Sequence, residues 1–288
     1  MLKKRIIGIV LVKDHIVVQS INFKKFLPIG KPGIAIEFLN NWGIDEIILL
    51  DISSKQGSIF PNNGLVKDAA KNCLVPMTVG GGIKNIGQIH SLMHNGADKV
   101  SLNHATLSHP RLINDAAKVF GNQCIVASID ACSTSTGHQV YEYRSKRILP
   151  IAPWEHAKRM EEDGAGEILI NSVDRDGMKK GFDLELINRV KESVSIPVIA
   201  CGGAGTPSHI YEVLEKTGAD AVAAANYYHF FEHSVTITKS FLRNNFPIRH
   251  DTAVTYQEKQ LDDTGRLIKK DDGILDDLLY CKFEKEVI

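Results

Sequence analysis

The sequence repeats itself at a nearly constant spacing, and this repeat constrains the fold more than any other feature. Four apolar segments of the first half have similar counterparts in the second half. The pairs are 5–14 with 124–131, 43–51 with 164–172, 75–82 with 196–203, and 96–103 with 218–226. The offset is about 119 to 123 residues throughout. Because a nearly shared offset at four places is hard to obtain by chance, we predict two similar structural halves, about 1–120 and 121–245.

Eight short apolar runs, rich in β-branched residues, alternate with stretches of helical periodicity. The runs are 5–12, 46–52, 75–80, 98–103, 124–130, 166–171, 196–201 and 220–226. Segments 32–42 and 154–163 are examples of the helical stretches. Strands that alternate with helices favour a parallel sheet, and eight such units in about 250 residues favour a closed (β/α)8 TIM barrel.

We therefore predict an α/β barrel over residues 1–248, followed by an acidic C-terminal extension over 249–288. In the extension the barrel pattern fades, and Ile274, Leu275, Leu278 and Leu279 could form one short amphipathic helix.

Composition narrows the functional classes. The net charge is zero, which gives no indication of a nucleic-acid partner or an anionic membrane surface, and no apolar run approaches the roughly 20 residues of a membrane span. The five scattered cysteines form no Cys-x-x-Cys pair, and the eleven histidines form no recognisable ligand pattern. We expect no disulfide framework, no metal, no cofactor and a reducing, cytoplasmic setting.

Glycines follow the third and seventh predicted strands at matching positions. They are Gly80, Gly81 and Gly82 in the first half, and Gly202, Gly203 and Gly205 in the second. Glycine lets backbone N–H groups approach a phosphate closely, although the same residues could simply turn a strand into a helix. The next strand in each half ends in a polar pair at a predicted helix start, Asn103-His104 and Ala225-Asn226. The pairing favours two phosphate sites at one barrel mouth.

Several motifs together resemble one enzyme family. They are residues 4–7, 22–23, 50–53, 78–83, 96–101, 164–168, 174–177 and 200–205. With these motifs the chain resembles the cyclase subunit of imidazole glycerol phosphate synthase, from residue 1 to about 245. The resemblance does not cover the extension.

The resemblance implies a heterodimer with a separate glutaminase subunit, which docks on the amino-terminal face of the barrel. Ammonia would cross the barrel and react with a bis-phosphorylated ribulosyl intermediate, giving imidazole glycerol phosphate and aminoimidazole carboxamide ribotide. The implied ammonia gate is Arg5, Glu46, Lys99 and Glu167, and the implied glutaminase contact is Asp98. The implied phosphate-binding residues are Gly81, Gly82, Asn103, Gly177, Gly202, Gly203 and Asn226, with Asp51 and Asp176 as further carboxylates.

The family uses two catalytic aspartates, one at the end of the first strand and one at the end of the fifth. Asp130 matches the second, but Leu11 occupies the place of the first, and leucine cannot transfer a proton. Further departures are Gln19 in place of a lysine, His104 in place of a threonine, Asn226 in place of a serine, and Met178 in place of a polar residue.

Four hypotheses follow. The favoured one is a divergent paralogue that binds a glutaminase and supplies ammonia to a third enzyme, for amidination in surface-polysaccharide (lipopolysaccharide) sugar biosynthesis. The second is a genuine cyclase in which Asp51, Asp174 or Asp176 replaces the lost acid, whereas Asp14 would leave the barrel wall. The third is the related two-phosphate isomerase, which the retained gate residues disfavour. The fourth is a non-catalytic scaffold that stimulates a glutaminase.

Overall fold

The computed structural model describes residues 3–53, 62–231, 233–249, 256 and 260–268. Its strands are β1 (Arg5–Lys13), β2 (Ile16–Ile21), β3 (Lys25–Gly30), β4 (Glu46–Asp51), β5 (Met77–Gly80), β6 (Lys99–Leu102), β7 (Ile125–Thr134), β8 (Gly137–Glu142), β9 (Arg147–Ile148), β10 (Glu167–Ser172), β11 (Val198–Cys201) and β12 (Ala221–Ala224). Its α-helices are α1 (Pro32–Asn41), α2 (Asn63–Asn72), α3 (Ile86–His94), α4 (His104–Ser108), α5 (Arg111–Phe120), α6 (Pro153–Glu162), α7 (Leu184–Ser193), α8 (Pro207–Thr217), α9 (Asn226–Phe230) and α10 (Ser234–Leu242).

Eight strands run parallel and close into a barrel. Their order is β1, β4, β5, β6, β7, β10, β11 and β12, and β12 pairs with β1 to complete the circle. At least one helix separates each barrel strand from the next. The predicted (β/α)8 barrel is confirmed, because each of the eight apolar runs overlaps one barrel strand. The boundary at residue 248 and the division into halves stay predictions.

Two antiparallel hairpins extend the barrel at its carboxyl end, and neither was predicted from the sequence. Strands β2 and β3 continue from β1, and β8 and β9 continue from β7. The hairpins therefore occupy matching places after the first and fifth barrel strands. The alternating burial of β8, in which His138, Val140 and Glu142 are buried, is typical of a strand with one face on the core.

Alternation along the strands separates two apolar layers. The inner layer fills the barrel and includes Ile7, Ile9, Ile48, Val126, Leu169 and Ile199, while a larger outer layer lies between strands and helices. Because side chains alternate along a strand, Arg5 and Leu11 face the same interior as Ile7 and Ile9. Arg5 and Leu11 are six positions apart in sequence, which corresponds to about 20 Å along the strand.

Local signals explain where several helices begin. The side chains of Asn62, Asn85, Asp183 and Thr206 each accept a hydrogen bond from a backbone N–H of the first helical turn. Helices α1 and α6 instead begin at proline, whose missing N–H costs nothing in the first turn. These two helices confirm the predictions for 32–42 and 154–163.

A fully buried lysine ties α10 to the amino end of the barrel. Lys239 Nζ lies 2.6 Å from Asp45 Oδ1 and donates to Gly43 O, also at 2.6 Å. Asp45 also accepts the backbone N–H of Ile6 at 2.8 Å, so its charge is matched by donors on both sides. Helix α10 is thereby tied to β1 and to the segment just before β4.

Part of the extension packs on the barrel. Leu261 and Leu267 form an antiparallel bridge around a turn, and Ser208 N donates to Thr264 O at 3.2 Å at the start of α8. The helix predicted from Ile274, Leu275, Leu278 and Leu279 lies outside the described residues. Within the described part of the chain, no helix combines the length and apolar character that crossing a membrane would require.

Candidate active site

A single cavity of about 660 Å³ opens at the carboxyl ends of the barrel strands. It brings together every residue predicted to bind phosphate and three of the predicted carboxylates, together with Leu11 and His104. The predicted residues that line it are Leu11, Asp51, Gly81, Gly82, Asn103, His104, Asp130, Asp176, Gly177, Gly202, Gly203 and Asn226. By contrast, Gln19, Asp174 and Met178 are not among the lining residues. The assigned roles remain predictions, but the residues share one space.

Asp130 lies on β7, where it lines the pocket and is buried. Asn103 Nδ2 donates to its Oδ2 at 2.8 Å, and Asn171 Nδ2 donates to its Oδ1 at 3.1 Å. Burial raises the pKa of Asp130 to about 6, although both amide donors act to lower it and the nearby Asp176 adds to the rise. A carboxyl group with this pKa can both accept and release a proton near neutral pH.

Leu11 faces the pocket from β1, in the place where the resemblance expects an acid. It lies directly opposite Leu50 in the pairing of β1 with β4. In the pairing of β7 with β10, Asp130 lies directly opposite Asn171. One wall of the pocket thus carries a leucine pair where the other carries a carboxylate and an amide.

Asp176 is bound to the first hairpin rather than open to the pocket on all sides. Its Oδ2 accepts from Ser20 Oγ at 2.6 Å and from Phe23 N at 3.2 Å. Burial raises the pKa of Asp176 in spite of these two hydrogen bonds. Asn226 Nδ2 donates to Ser20 O at 2.7 Å, so two predicted site residues fasten the same turn.

Aromatic rings from the two hairpins meet above the pocket. The ring centroids of Phe23 and Tyr143 lie 5.7 Å apart with an edge-to-face geometry, and those of Phe23 and Tyr141 lie 6.3 Å apart. Edge-to-face pairs at this spacing attract each other. The turn held by Asp176 therefore also contacts the second hairpin, across the barrel mouth.

The paired glycines have a packing role that is independent of any phosphate. Gly81 has φ +115°, and a Cβ atom there would overlap Asp51 O. Gly202 has φ +90°, and its Cβ would lie 2.6 Å from Ser172 O. In both halves the glycine turn thus presses on the end of the preceding barrel strand. Both glycines also line the pocket, so both interpretations from the sequence remain open.

The two predicted phosphate sites share an unusual backbone conformation just before a short helix. Asn103 has φ −114° and ψ −83°, and Ala225 has φ −103° and ψ −80°. Each precedes a five-residue helix, α4 or α9. The residues that follow differ: His104 Nδ1 lies 3.0 Å from Glu142 Oε1, whereas Asn226 contacts Ser20.

Asp51 accepts hydrogen bonds within a local turn. Its Oδ1 accepts from Ser53 N at 3.0 Å and from Ser53 Oγ at 2.6 Å, while the residue also lines the pocket. Asp174, the other candidate for the lost acid, accepts from Ser133 N at 2.7 Å outside the pocket lining. Of the candidates, Asp51 and Asp176 therefore have access to the site.

The four predicted gate residues form one closed ring of ion pairs at the amino end. Arg5 lies 2.8 Å from Glu46 and 2.6 Å from Glu167. Lys99 lies 3.3 Å from Glu46 and 2.8 Å from Glu167. Each carboxylate therefore touches both cations, and the ring has no net charge.

The predicted glutaminase contact, Asp98, lies on the same end of the barrel. It is exposed, and its Oδ2 accepts from Met77 N at 2.7 Å. Leu74, three residues before β5, is 84% exposed. An acidic side chain and a bare apolar one therefore both face outward at this end.

Sequence reasoning missed several pocket residues. Asn171, Ser128, Tyr143 and Arg144 line the cavity, but none had been singled out for a role. A signal for Asn171 existed, because it stands near the end of the repeated segment 164–172 at the position of Leu50. Tyr143 and Arg144 were missed because they belong to the second hairpin, whose short strands carry no clear periodic signal in the sequence.

The sequence is similar to those of a known protein family. The profile of the family described as "Histidine biosynthesis protein" matches residues 5–234. A Vibrio vulnificus (strain YJ016) protein with the provisional name imidazole glycerol phosphate synthase subunit hisF2 is 44% identical over 267 residues, which cover 92% of this chain and 98% of the relative.

Two further relatives carry the name imidazole glycerol phosphate synthase subunit HisF. That of Clostridium botulinum (strain Langeland) is 41% identical over 252 residues, covering 86% of this chain and 100% of the relative. That of Bacillus cereus (strain ATCC 10987) is 41% identical over 245 residues, covering 85% and 97%. The chain belongs to the histidine biosynthesis protein family, as a relative of the cyclase subunits of imidazole glycerol phosphate synthase.

Proposed function

We propose that this chain is the cyclase-type subunit of a two-component glutamine amidotransferase. It binds a glutaminase subunit at the amino end of the barrel, as a heterodimer, and conducts ammonia through the barrel to the carboxyl-end cavity. The observation that carries the proposal is the continuity of β1: Arg5 belongs to the charged ring at one end, and Leu11 lines the cavity at the other.

The interior between these ends suits a small neutral molecule. It is lined largely by apolar side chains such as Ile7, Ile48 and Leu169. Burying an ion in such surroundings is costly, whereas ammonia carries no charge. The ring of Arg5, Glu46, Lys99 and Glu167 is closed, so passage requires part of the ring to move.

Ring closure to imidazole glycerol phosphate is one use of the ammonia. The names of the relatives support it, as does the retention of Asp130 with two amide donors. A carboxyl group with pKa about 6 is suited to move protons during cyclisation. The glycine turns and Asn103 would bind the phosphates of a bis-phosphorylated substrate.

Delivery of ammonia to a third enzyme is the second candidate, and Leu11 favours it. The wall formed by Leu11 and Leu50 supplies neither a proton nor a hydrogen bond. A barrel that retained the gate but lost this acid could serve amidination of a surface-polysaccharide (lipopolysaccharide) sugar, with a separate acceptor enzyme.

An ammonium-dependent cyclase assay separates the two candidates. The purified chain receives ammonium salt and the bis-phosphorylated ribulosyl substrate, without any glutaminase. Robust product formation that Asp130→Asn abolishes supports the histidine-pathway cyclase. Absence of product, from a folded chain that still stimulates its glutaminase, supports ammonia delivery. A folded chain that neither forms product nor binds a glutaminase contradicts the proposal.

A further inference from the structure

We propose that Asn171 is the positioning residue of Asp130, and that the two residues form an acid–base unit together with Asn103 on the wall formed by β6, β7 and β10. Asn171 fixes the orientation of the carboxylate and stabilises its ionised form. The inference rests on the proposed function only in that Asp130 is taken to handle protons there.

Strand register places the two side chains together. Asn171 lies directly opposite Asp130 in the parallel pairing of β10 with β7, and both side chains face the barrel interior. Asn171 donates to Oδ1 from one flank, and Asn103, which follows β6, donates to Oδ2 from the other. Each carboxylate oxygen thus has its own amide donor, so the carboxylate plane is held from both sides.

The surroundings of Asp130 otherwise disfavour its charge. Burial raises the pKa of Asp130, and the carboxylate of Asp176 raises it further. Tyr141 and Tyr143 on the second hairpin, and Cys201 on β11, also lie close to Asp130, and none of the three carries a positive charge. The cations Lys84 and Arg144 line the same pocket. No cation is paired with Asp130 among the described residues, so the two amides are its stabilising partners.

Asn171 makes its bond to Asp130 at a cost. Its Oδ1 is buried and has no hydrogen-bond partner within the described part of the chain. An unsatisfied buried acceptor is destabilising, and a residue retained only for packing would avoid that loss. The opposite amide orientation would turn Oδ1 toward the carboxylate and add repulsion. The orientation is therefore explained by the needs of Asp130.

The other half of the barrel provides an internal comparison. Leu11 and Leu50 occupy the matching register positions and have no polar atom to exchange. The unit is therefore present once, on the wall formed by β6, β7 and β10.

The test is a carboxyl ¹³C NMR titration of Asp130 in the full chain, with Asp130→Asn used to assign the signal. Replacing Asn171 by leucine, of similar size, removes one donor to a charged group. We expect the midpoint of Asp130 to rise by about one pH unit. Asn171→Thr, which restores a donor, should return part of the shift. Asn188→Leu, a change at a half-buried position of α7 outside the pocket lining, should leave the midpoint unchanged.

A second measurement uses the unaltered protein and does not depend on a variant folding. The Nδ2 resonance of Asn171 should titrate with the same midpoint as the Asp130 carboxyl. An Asn171 resonance that ignores this titration, or a folded Asn171→Leu chain with an unchanged Asp130 midpoint, overturns the inference. Neither measurement needs substrate or glutaminase, so a failure of the proposed function would be seen separately in the ammonium-dependent assay.

Discussion

Leu11 lies directly opposite Leu50 at the barrel mouth, in the register position that Asp130 and Asn171 share in the other half. An acid introduced at position 11 would therefore meet an apolar neighbour and no amide. Burial without a donor favours the protonated form of a carboxyl group. Restoring the missing acid and restoring its ionisation are consequently two separate changes.

The first prediction concerns the missing acid. If ring closure is limited by its loss, Leu11→Asp should raise the ammonium-dependent cyclase rate by about 100-fold, since general acid–base catalysis is worth roughly 100- to 10,000-fold. Adding Leu50→Asn should lower the pKa of the introduced carboxyl group and shift the pH–rate profile to lower pH. Leu11→Asn, which has similar size but no titratable proton, is the control. Equal rates for the parent and all three variants would mean that the cavity serves other chemistry.

The second prediction concerns stability and pH. The pKa of Asp130 is raised from 3.8 to about 6 in the folded state. Below pH 3.8 the group is protonated in both states, whereas above pH 6 the folded chain must hold a buried charge. The unfolding free energy is thus lowered as pH rises, by about 3 kcal/mol in full. Asp130→Asn removes this loss.

Urea unfolding at two pH values checks it. The stability advantage of Asp130→Asn over the parent should grow by roughly 1–1.5 kcal/mol between pH 5 and pH 8. Asp115→Asn, on the exposed face of α5, should show no such growth. An advantage that shrinks toward pH 8 would contradict the buried charge.

The third prediction concerns the gate. Lys99→Met removes one cation from the ring, leaving both Glu46 and Glu167 to share Arg5. We expect a loss of about 1–3 kcal/mol in unfolding free energy, since part of a buried ion-pair set is left unbalanced. With the cognate glutaminase bound, product formed per glutamine hydrolysed should fall, while ammonium-dependent turnover stays near that of the parent.

Lys216→Met, which breaks an exposed ion pair on α8, is the matched control and should change neither quantity. If the two nitrogen sources were affected equally by Lys99→Met, the ring would be a structural element rather than a gate.

The fourth prediction separates backbone strain from close packing. Gly81 and Gly137 have similar positive φ angles, +115° and +109°, but a Cβ atom would overlap Asp51 O at Gly81 and meet nothing within 4 Å at Gly137. Gly137→Ala should cost about 1 kcal/mol from strain alone. Gly81→Ala should cost about 3 kcal/mol or more, since backbone atoms must move. Urea unfolding of both variants checks the difference. Equal losses of unfolding free energy would show that the backbone around Gly81 can move to accommodate a Cβ atom.

The alternation of apolar runs with helical stretches, together with the internal repeat, predicted the barrel well. Both patterns depend on residues that are close in sequence or at a fixed offset, so they can be recognised without the structure. The correspondence between Leu11 and Asp130 was likewise visible, since aligning the two copies of the repeat places these residues at the same position. The hairpins were missed: β9 has two residues, and β3 is mostly exposed, so neither carries a strong periodic signal.

The partners of the site residues could not be predicted. Asp176 accepts hydrogen bonds from Ser20 and Phe23, and Asn226 donates to the same turn. These contacts join residues that are far apart in sequence, by 156 positions for Ser20 and Asp176 and by 206 for Ser20 and Asn226. Asn171 was overlooked for a related reason, since its meaning depends on a neighbour on another strand. Register between strands decides such contacts, and register follows from the closed barrel as a whole.

The ring at the amino end has a property that a single ion pair lacks. Because each carboxylate touches both Arg5 and Lys99, a swing of the Lys99 side chain away from the ring leaves Glu46 and Glu167 still held by Arg5. Opening therefore leaves each carboxylate with one cationic partner, Arg5, at the cost of one uncompensated negative charge in the ring. Under the proposed function, a glutaminase docked at this end would need to attract only the Lys99 side chain to open the ring.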